Sequence, residues 1–154
     1  MPTVIVAERP DSADAMALIA ELEAVLAPQY APESRHGFSV EKLLRQGVAF
    51  FVIRVDGAAA GCGGILMVGN DYGEVKRMFV RPQFRGLGLA QLMLDHLAAY
   101  CQQHGAHVLR LETGIYQTEA IRLYERYGFV RIPPFGDYFE DPVSLCYEKR
   151  LDAR

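Results

Sequence analysis

Arg85, Gly86 and Gly88 stand together in VRPQFRGLGLA, residues 80–90, between an apolar run and a second apolar stretch. Pro82 closes the first run, since proline cannot donate to a strand ladder. The first N–H groups of a helix have no intrahelical partner and carry its positive end, so a strand-to-helix junction of this kind suits an anion, phosphate above all. Glycine lets the backbone approach a ligand with no Cβ in the way, and Arg85 adds a charge-assisted contact. A tight turn flanked by solvated Arg81 and Arg85 fits the same residues. Two phosphate chemistries lose support: a Walker loop needs Lys-Ser/Thr after its last glycine, where the chain has Leu89-Ala90, and a dinucleotide fingerprint needs a third glycine where the chain has Gln91.

The elements that must position this junction can be read along the chain. TVIVA, residues 3–7, is β-branched and predicts a strand. Asp11 and Ser12 are cap residues for a helix reaching to about Leu26. A loop with two prolines spans residues 28–39, and a short helix, VEKLLRQG, stops at Gly47. Asp56-Gly57 between two apolar runs predicts a two-residue hairpin. Residues 73–80 make a further strand. From Gly88 to about His104, Leu89, Leu92, Met93, Leu97 and Tyr100 recur at helical spacing. AHVLRLET is strand, Gln117 to Tyr127 is helix closed by Gly128, and FVRI and VSLCYEKRL are strands. The order β-α-α-β-β-β-α-β-α-β-β predicts one mixed α/β domain over residues 1–154, a largely antiparallel sheet with helices packed on it.

Gln83-x-x-Gly86-x-Gly88, after KRMFVRP and opening an apolar helix, resembles the signature of the GNAT superfamily of N-acetyltransferases. EAIRLYERYGFVRI downstream is similar to that family's second conserved region, an Ala-x-x-Leu-Tyr helix running into Gly-Phe and a strand. The resemblance implies a GNAT-like fold and acetyl-CoA as cosubstrate. It implies that the amides of the segment Gln83, Arg85, Gly86, Leu87, Gly88, Leu89 and Ala90 hold the diphosphate, that pantetheine runs along Met78, Phe79 and Val80, and that a backbone N–H there polarises the thioester carbonyl. Gln117 stands where the family often has an asparagine on the cofactor; it offers the same amide on a longer arm.

Acetyl transfer to an amine needs a neutral amine, a polarised carbonyl and a proton for the leaving thiolate. Tyr124 matches the family's tyrosine near the CoA sulfur, and a phenol is protonated at neutral pH. The other role for it is a core tyrosine bonded to a carbonyl. Glu74, on the strand before the phosphate loop, is the candidate base; alternatively it is a solvated turn residue, or the amine arrives already deprotonated. Arg77, Glu112 and Tyr138 are the candidate acceptor-binding residues. Arg77 is either a clamp for a substrate carboxylate or half of a structural ion pair. Arg110 is expected to pair with Glu112, one pleat away on the same face. The 28–39 loop and residues 133–142, with Phe135, Tyr138, Phe139, Asp137 and Asp141, should line the acceptor side; alternatively the latter is a proline-rigid hairpin loop with its aromatics packed on the core, and no pattern ties His36 of the former loop to the chemistry. His96 reads as a core histidine, and Gly61, Gly63 and Gly64 as thinning one strand for a close neighbour.

Composition narrows the partners. The net charge of −3 over 154 residues gives nucleic-acid binding no global support. Cys62, Cys101 and Cys146 form no CxxC pair and the histidines no ligand spacing, so neither a disulfide framework nor a metal site is expected, and a reduced, cytoplasmic setting fits. No signal peptide or membrane-spanning run is evident. The expected acceptor is a primary amine on a small or amino-acid-like molecule, with a protein N-terminus or lysine, or a non-catalytic CoA-binding module, as the alternatives. By resemblance, VSLCYEKRL permits a homodimer through terminal strands.

Overall fold

The computed structural model describes residues 2–35 and 39–151. Seven strands form one sheet in the order β1-β2-β3-β4-β5-β7-β6. They are β1 Thr3–Ala7, β2 Ala49–Val55, β3 Ala58–Val68, β4 Tyr72–Val80, β5 Val108–Gly114, β6 Val130–Ile132 and β7 Ser144–Arg150. The helices are α1 Ala13–Leu26, α2 Val40–Arg45, α3 Leu89–Gln103 and α4 Thr118–Tyr127. Every neighbouring pair of strands is antiparallel except β4 and β5. The element order is the one that the sequence predicts.

Local chemistry accounts for the boundaries. Ser12 and Ser39 accept the Ala15 and Lys42 N–H groups at 3.1 Å each, capping α1 and α2. Asp56 and Gly57 both take positive φ, 51° and 85°, which is the primed hairpin geometry that Asp-Gly favours. Gly128 ends α4 in the left-handed conformation at φ 112°.

Helix α3 packs on one face of the sheet. Leu89, Met93, Leu94, Leu97 and Cys101 are its buried residues, joined by Phe51, Ile53, Val75, Leu109 and Leu111. Leu92, expected on this face, is 40% exposed, and Leu94 takes its place. On the other face, Leu18 and Ile19 of α1 meet Phe50, Val52, Cys62 and Phe79. His96, half-buried, packs edge-on against Phe51 at 4.4 Å, and desolvation lowers its pKa. All three cysteines are buried free thiols.

The strand glycines permit close packing. A Cβ on Gly63 would stand 2.9 Å from the Met93 side chain, and one on Gly61 2.6 Å from the Phe79 carbonyl oxygen. Strand β7 is flanked on both sides, by β5 and β6, so it has no free edge to offer a second copy; the open edges belong to β1 and β6.

Leu97 is fully buried, so Leu97→Ala should cost about 2–5 kcal/mol and lower the thermal midpoint accordingly. A denaturant titration showing a loss under about 1 kcal/mol would contradict this packing.

Candidate active site between two parting strands

Strands β4 and β5 pair only at Gly73 with Leu109 and Glu74 with Arg110, then separate. The cause lies in β4. Lys76 faces Gly64 and Phe79 faces Cys62, leaving Arg77 and Met78 both opposite Gly63. This is a β-bulge, and Arg77 adopts φ 53° to make it. A bulge bends its strand and increases the local twist. The result is a cleft of about 790 Å³ lined by residues 75–80 of β4, Leu111 to Gly114 of β5, the start of α3 and one face of α4.

At one end of the cleft is the glycine-arginine junction. Gly86 and Gly88 have φ 84° and 75°, and a Cβ on either would meet no atom within 4 Å. Their form is therefore set by backbone conformation and leaves open space in front of it. No side chain caps α3, and its first backbone bond is from Leu92 to the Gly88 carbonyl at 3.1 Å. The N–H groups of Leu89, Ala90 and Gln91 are thus left to the cleft. These free amides, beside the exposed Arg85, fit a diphosphate. Gln83 and Leu87 lie outside the cleft wall, while Phe84 and Gln91 join it.

Arg81 has a different task from Arg85. Its Nε and NH2 groups donate to both carboxylate oxygens of Glu21, at 2.9 and 2.7 Å, and NH1 donates to the Ala59 carbonyl at 2.9 Å. It ties α1 to the sheet beneath the junction.

Met78, Phe79 and Val80 line the cleft on the β4 edge that has left β5. Opposite, Tyr124 of α4 is buried, yet its hydroxyl accepts and donates no hydrogen bond among the described residues. The expected alternative, a phenol held by a backbone carbonyl, is not what the structure contains. Burial first, and then the Glu112 carboxylate, push its pKa up to about 12. The proton is firmly held and faces the cleft.

Polar groups crowd the other end. Glu74 and Lys76 are paired at 2.9 Å, both nearly inaccessible. The Tyr138 hydroxyl donates to Glu74 Oε2 at 2.6 Å, and Lys76 Nζ donates to that hydroxyl at 3.0 Å. Desolvation lowers the Lys76 pKa against the opposing effect of Glu74, and burial raises that of Tyr138. Lys76 and Tyr138 line the cleft, with Glu74 behind them; Glu74 is not a solvated turn residue. Lys76 escaped the sequence reading, though its alternation with Glu74 puts both on one strand face. Glu112 also lines the cleft and accepts from the Ser144 hydroxyl at 2.6 Å.

Two arginines take partners distant in sequence. Arg110 pairs with Glu148 of β7 at 2.9 Å, not with Glu112, because those residues are cross-strand partners. Its guanidinium also stacks over Tyr72 at 4.5 Å. Arg77 is ion-paired with Glu23 of α1.

Tyr30, Ser34 and Arg35 of the segment after α1 join the cleft wall. The Tyr30 hydroxyl donates to Gln117 Oε1 at 2.6 Å and accepts the Tyr116 N–H at 2.9 Å. It sits so tightly on Gly114 that a β-carbon there would overlap its hydroxyl and ring. This occupies the carbonyl end of the Gln117 amide. The Ser34 hydroxyl donates to Asp141 at 2.6 Å, joining this segment to the 133–142 loop. Of the aromatics expected there, Tyr138 lines the cleft, Phe135 is buried against Tyr72, and Phe139 is 54% exposed. His36 lies outside the described residues.

The wall also carries Arg35. Its Nε is buried without a hydrogen-bond partner among the described residues, a condition that ordinarily costs about 1–3 kcal/mol. Among the described residues no helix is long and apolar enough to cross a membrane, and no cluster of His, Cys, Asp and Glu could hold a metal.

Comparison with known proteins agrees with this arrangement. Residues 17–129 match the model of the Acetyltransferase (GNAT) family. The chain is 40% identical over 153 residues to the IAA acetyltransferase of Azospirillum brasilense, covering 98% of this chain and 100% of that one. A crystal structure from Klebsiella pneumoniae, ascribed to an acyl-CoA N-acyltransferase, superposes with a TM-score of 0.82 at 36% identity, over 97% of this chain and 98% of that one. A GNAT acetyltransferase from Elizabethkingia anophelis with acetyl-CoA bound shares the fold, at 15% identity and a TM-score of 0.71, over 97% and 98% of the two chains. With its parted strands, its uncapped glycine-rich helix start and these relatives, the chain belongs to the GNAT family and is an acetyl-CoA-dependent N-acetyltransferase.

Proposed function

We propose that the enzyme moves the acetyl group directly to a primary amine on a small, amino-acid-like acceptor, with Tyr124 as the general acid. Bound acetyl-CoA supplies the activated thioester. The amides of residues 86–91, with Arg85, hold the diphosphate, and the amide of Gln117 adds a contact. The free β4 edge at Met78 to Val80 aligns the pantetheine arm and donates an N–H to the carbonyl oxygen, where charge develops as the amine attacks. Tyr124 gives its proton to the departing sulfur.

The observation that carries this reading is the Tyr124 hydroxyl, protonated and unbonded among the described residues, on the cleft wall opposite β4. Glu74 takes part as base through the Tyr138 hydroxyl that it accepts from, and Glu112 draws the ammonium form toward the tyrosine. The roof formed by Tyr30, Tyr138 and the Ser34–Asp141 bond supports a small acceptor over an extended peptide, which needs an open groove.

The test is thiol release from acetyl-CoA with a panel of amino acids, polyamines, aminoglycosides and short peptides, corrected for the three protein cysteines. IAA, named in the Azospirillum relative, belongs in it. Tyr124→Phe should lower kcat by about 10²- to 10⁴-fold with acetyl-CoA affinity nearly unchanged. Full activity in that variant would remove Tyr124 from the acid role.

The pH profile gives an independent check. A Tyr124 pKa of about 12 keeps the phenol protonated at all lower pH, so kcat should show no alkaline decline up to about pH 10. Over the same range kcat/KM should rise as the free amine fraction grows. A fall in kcat with a midpoint near pH 9 would point to another acid.

A further inference from the structure

We infer that the acceptor carries a carboxylate and that Arg35 binds it. This rests on the acetyl-transfer reading above and names the group by which the enzyme selects its acceptor.

The inference starts from charge and donor accounting along the cleft wall. Arg35 and Arg77 both line the cleft and both point at one carboxylate, Glu23. Arg77 holds one Glu23 oxygen in close contact. Arg35 is left with the other at 3.8 Å, beyond hydrogen-bond distance. Its Nε has no partner among the described residues. Arg35 and Arg77 thus both face Glu23, and Arg35 reaches it only at ion-pair distance, without a hydrogen bond. Guanidinium forks match carboxylates bidentately, which is why arginine is used where carboxylate geometry must be read.

Other charged residues also line the cleft, Arg85 at the junction and Glu119, Arg122 and Arg126 on α4. Lys76 is offset by Glu74. Glu112 lies on the β5 wall, near enough to Tyr124 to raise its pKa. A molecule with an amine and a carboxylate meets Glu112 and Tyr124 with one end and Arg35 with the other. The rings of Tyr30 and Tyr116, 5.3 Å apart, also line the cleft. The side chain of Arg35 lines the cleft and is 28% exposed, while its Nε is buried.

The decisive experiment compares amines that differ only in the carboxylate: lysine with cadaverine, and phenylalanine with phenethylamine. Binding to the protein–CoA complex is read by calorimetry, and turnover with acetyl-CoA by thiol release. The amino acid of at least one pair should show a Kd and KM about 10- to 100-fold lower than its twin, as a charged hydrogen bond would give. Arg35→Met should erase the difference within the pair, and Arg35→Lys, which keeps the charge but loses the fork, should restore part of it. Equal binding within both pairs, a preference that survives Arg35→Met, or no binding of either amino acid to the CoA complex would each overturn the assignment. Thiol release with the decarboxylated amines and no preference would overturn the clamp alone. Failure of every amine to release thiol, with the amino acids still bound through Arg35, would instead count against the acetyl-transfer reading.

Discussion

A backbone N–H or C=O withdrawn from water needs a partner, and between β4 and β5 this sheet stops supplying one. After two paired positions the strands part, leaving the inner edge of β4 from Val75 onward facing a cleft. The uncapped first turn of α3 opens into the same space. Both features leave main-chain donors unused by the protein. A CoA-shaped ligand has complementary parts: amide groups along its arm for a strand edge, and a diphosphate for a helix start. The rest of the structure holds that split open, through the Arg77 bulge, the Arg81–Glu21 strut and the α3 core.

The form of the glycine-arginine junction was legible in the sequence because it depends on local chemistry, while its reading as a diphosphate cradle came from the family resemblance. Glycine at positive φ, a strand-ending proline and a helix with no capping side chain are properties of adjacent residues, as is the Asp56-Gly57 turn. The inward face of Tyr124 was legible from its helical spacing with Ala120, Ile121 and Tyr127, whereas its proposed acid role came from the family resemblance. Periodicity misjudged Leu92 against Leu94, which differ by two residues on a helix whose buried stripe is wide.

The acceptor end was not legible in the same way, since its residues meet across the fold. Arg110 finds Glu148, not Glu112, because β7 inserts beside β5. Arg77 finds Glu23 on α1, and Tyr30 meets Gln117 across 87 residues. Lys76 joins Glu74 and Tyr138 in a buried network whose members come from a strand and a distant loop. A buried ion pair of this sort is weak evidence for added stability, because desolvation offsets the attraction. Here it has a positional consequence instead. It fixes Tyr138 against the cleft and keeps Lys76 paired.

The central claim is that backbone amides, opened by the split in the sheet, hold the cofactor. Amide hydrogen exchange with and without acetyl-CoA measures this directly. The account predicts that binding slows exchange at residues 78–80 and 86–91, with little change along the open edge of β1. Tight binding that leaves both of those segments exchanging as fast as before would contradict it.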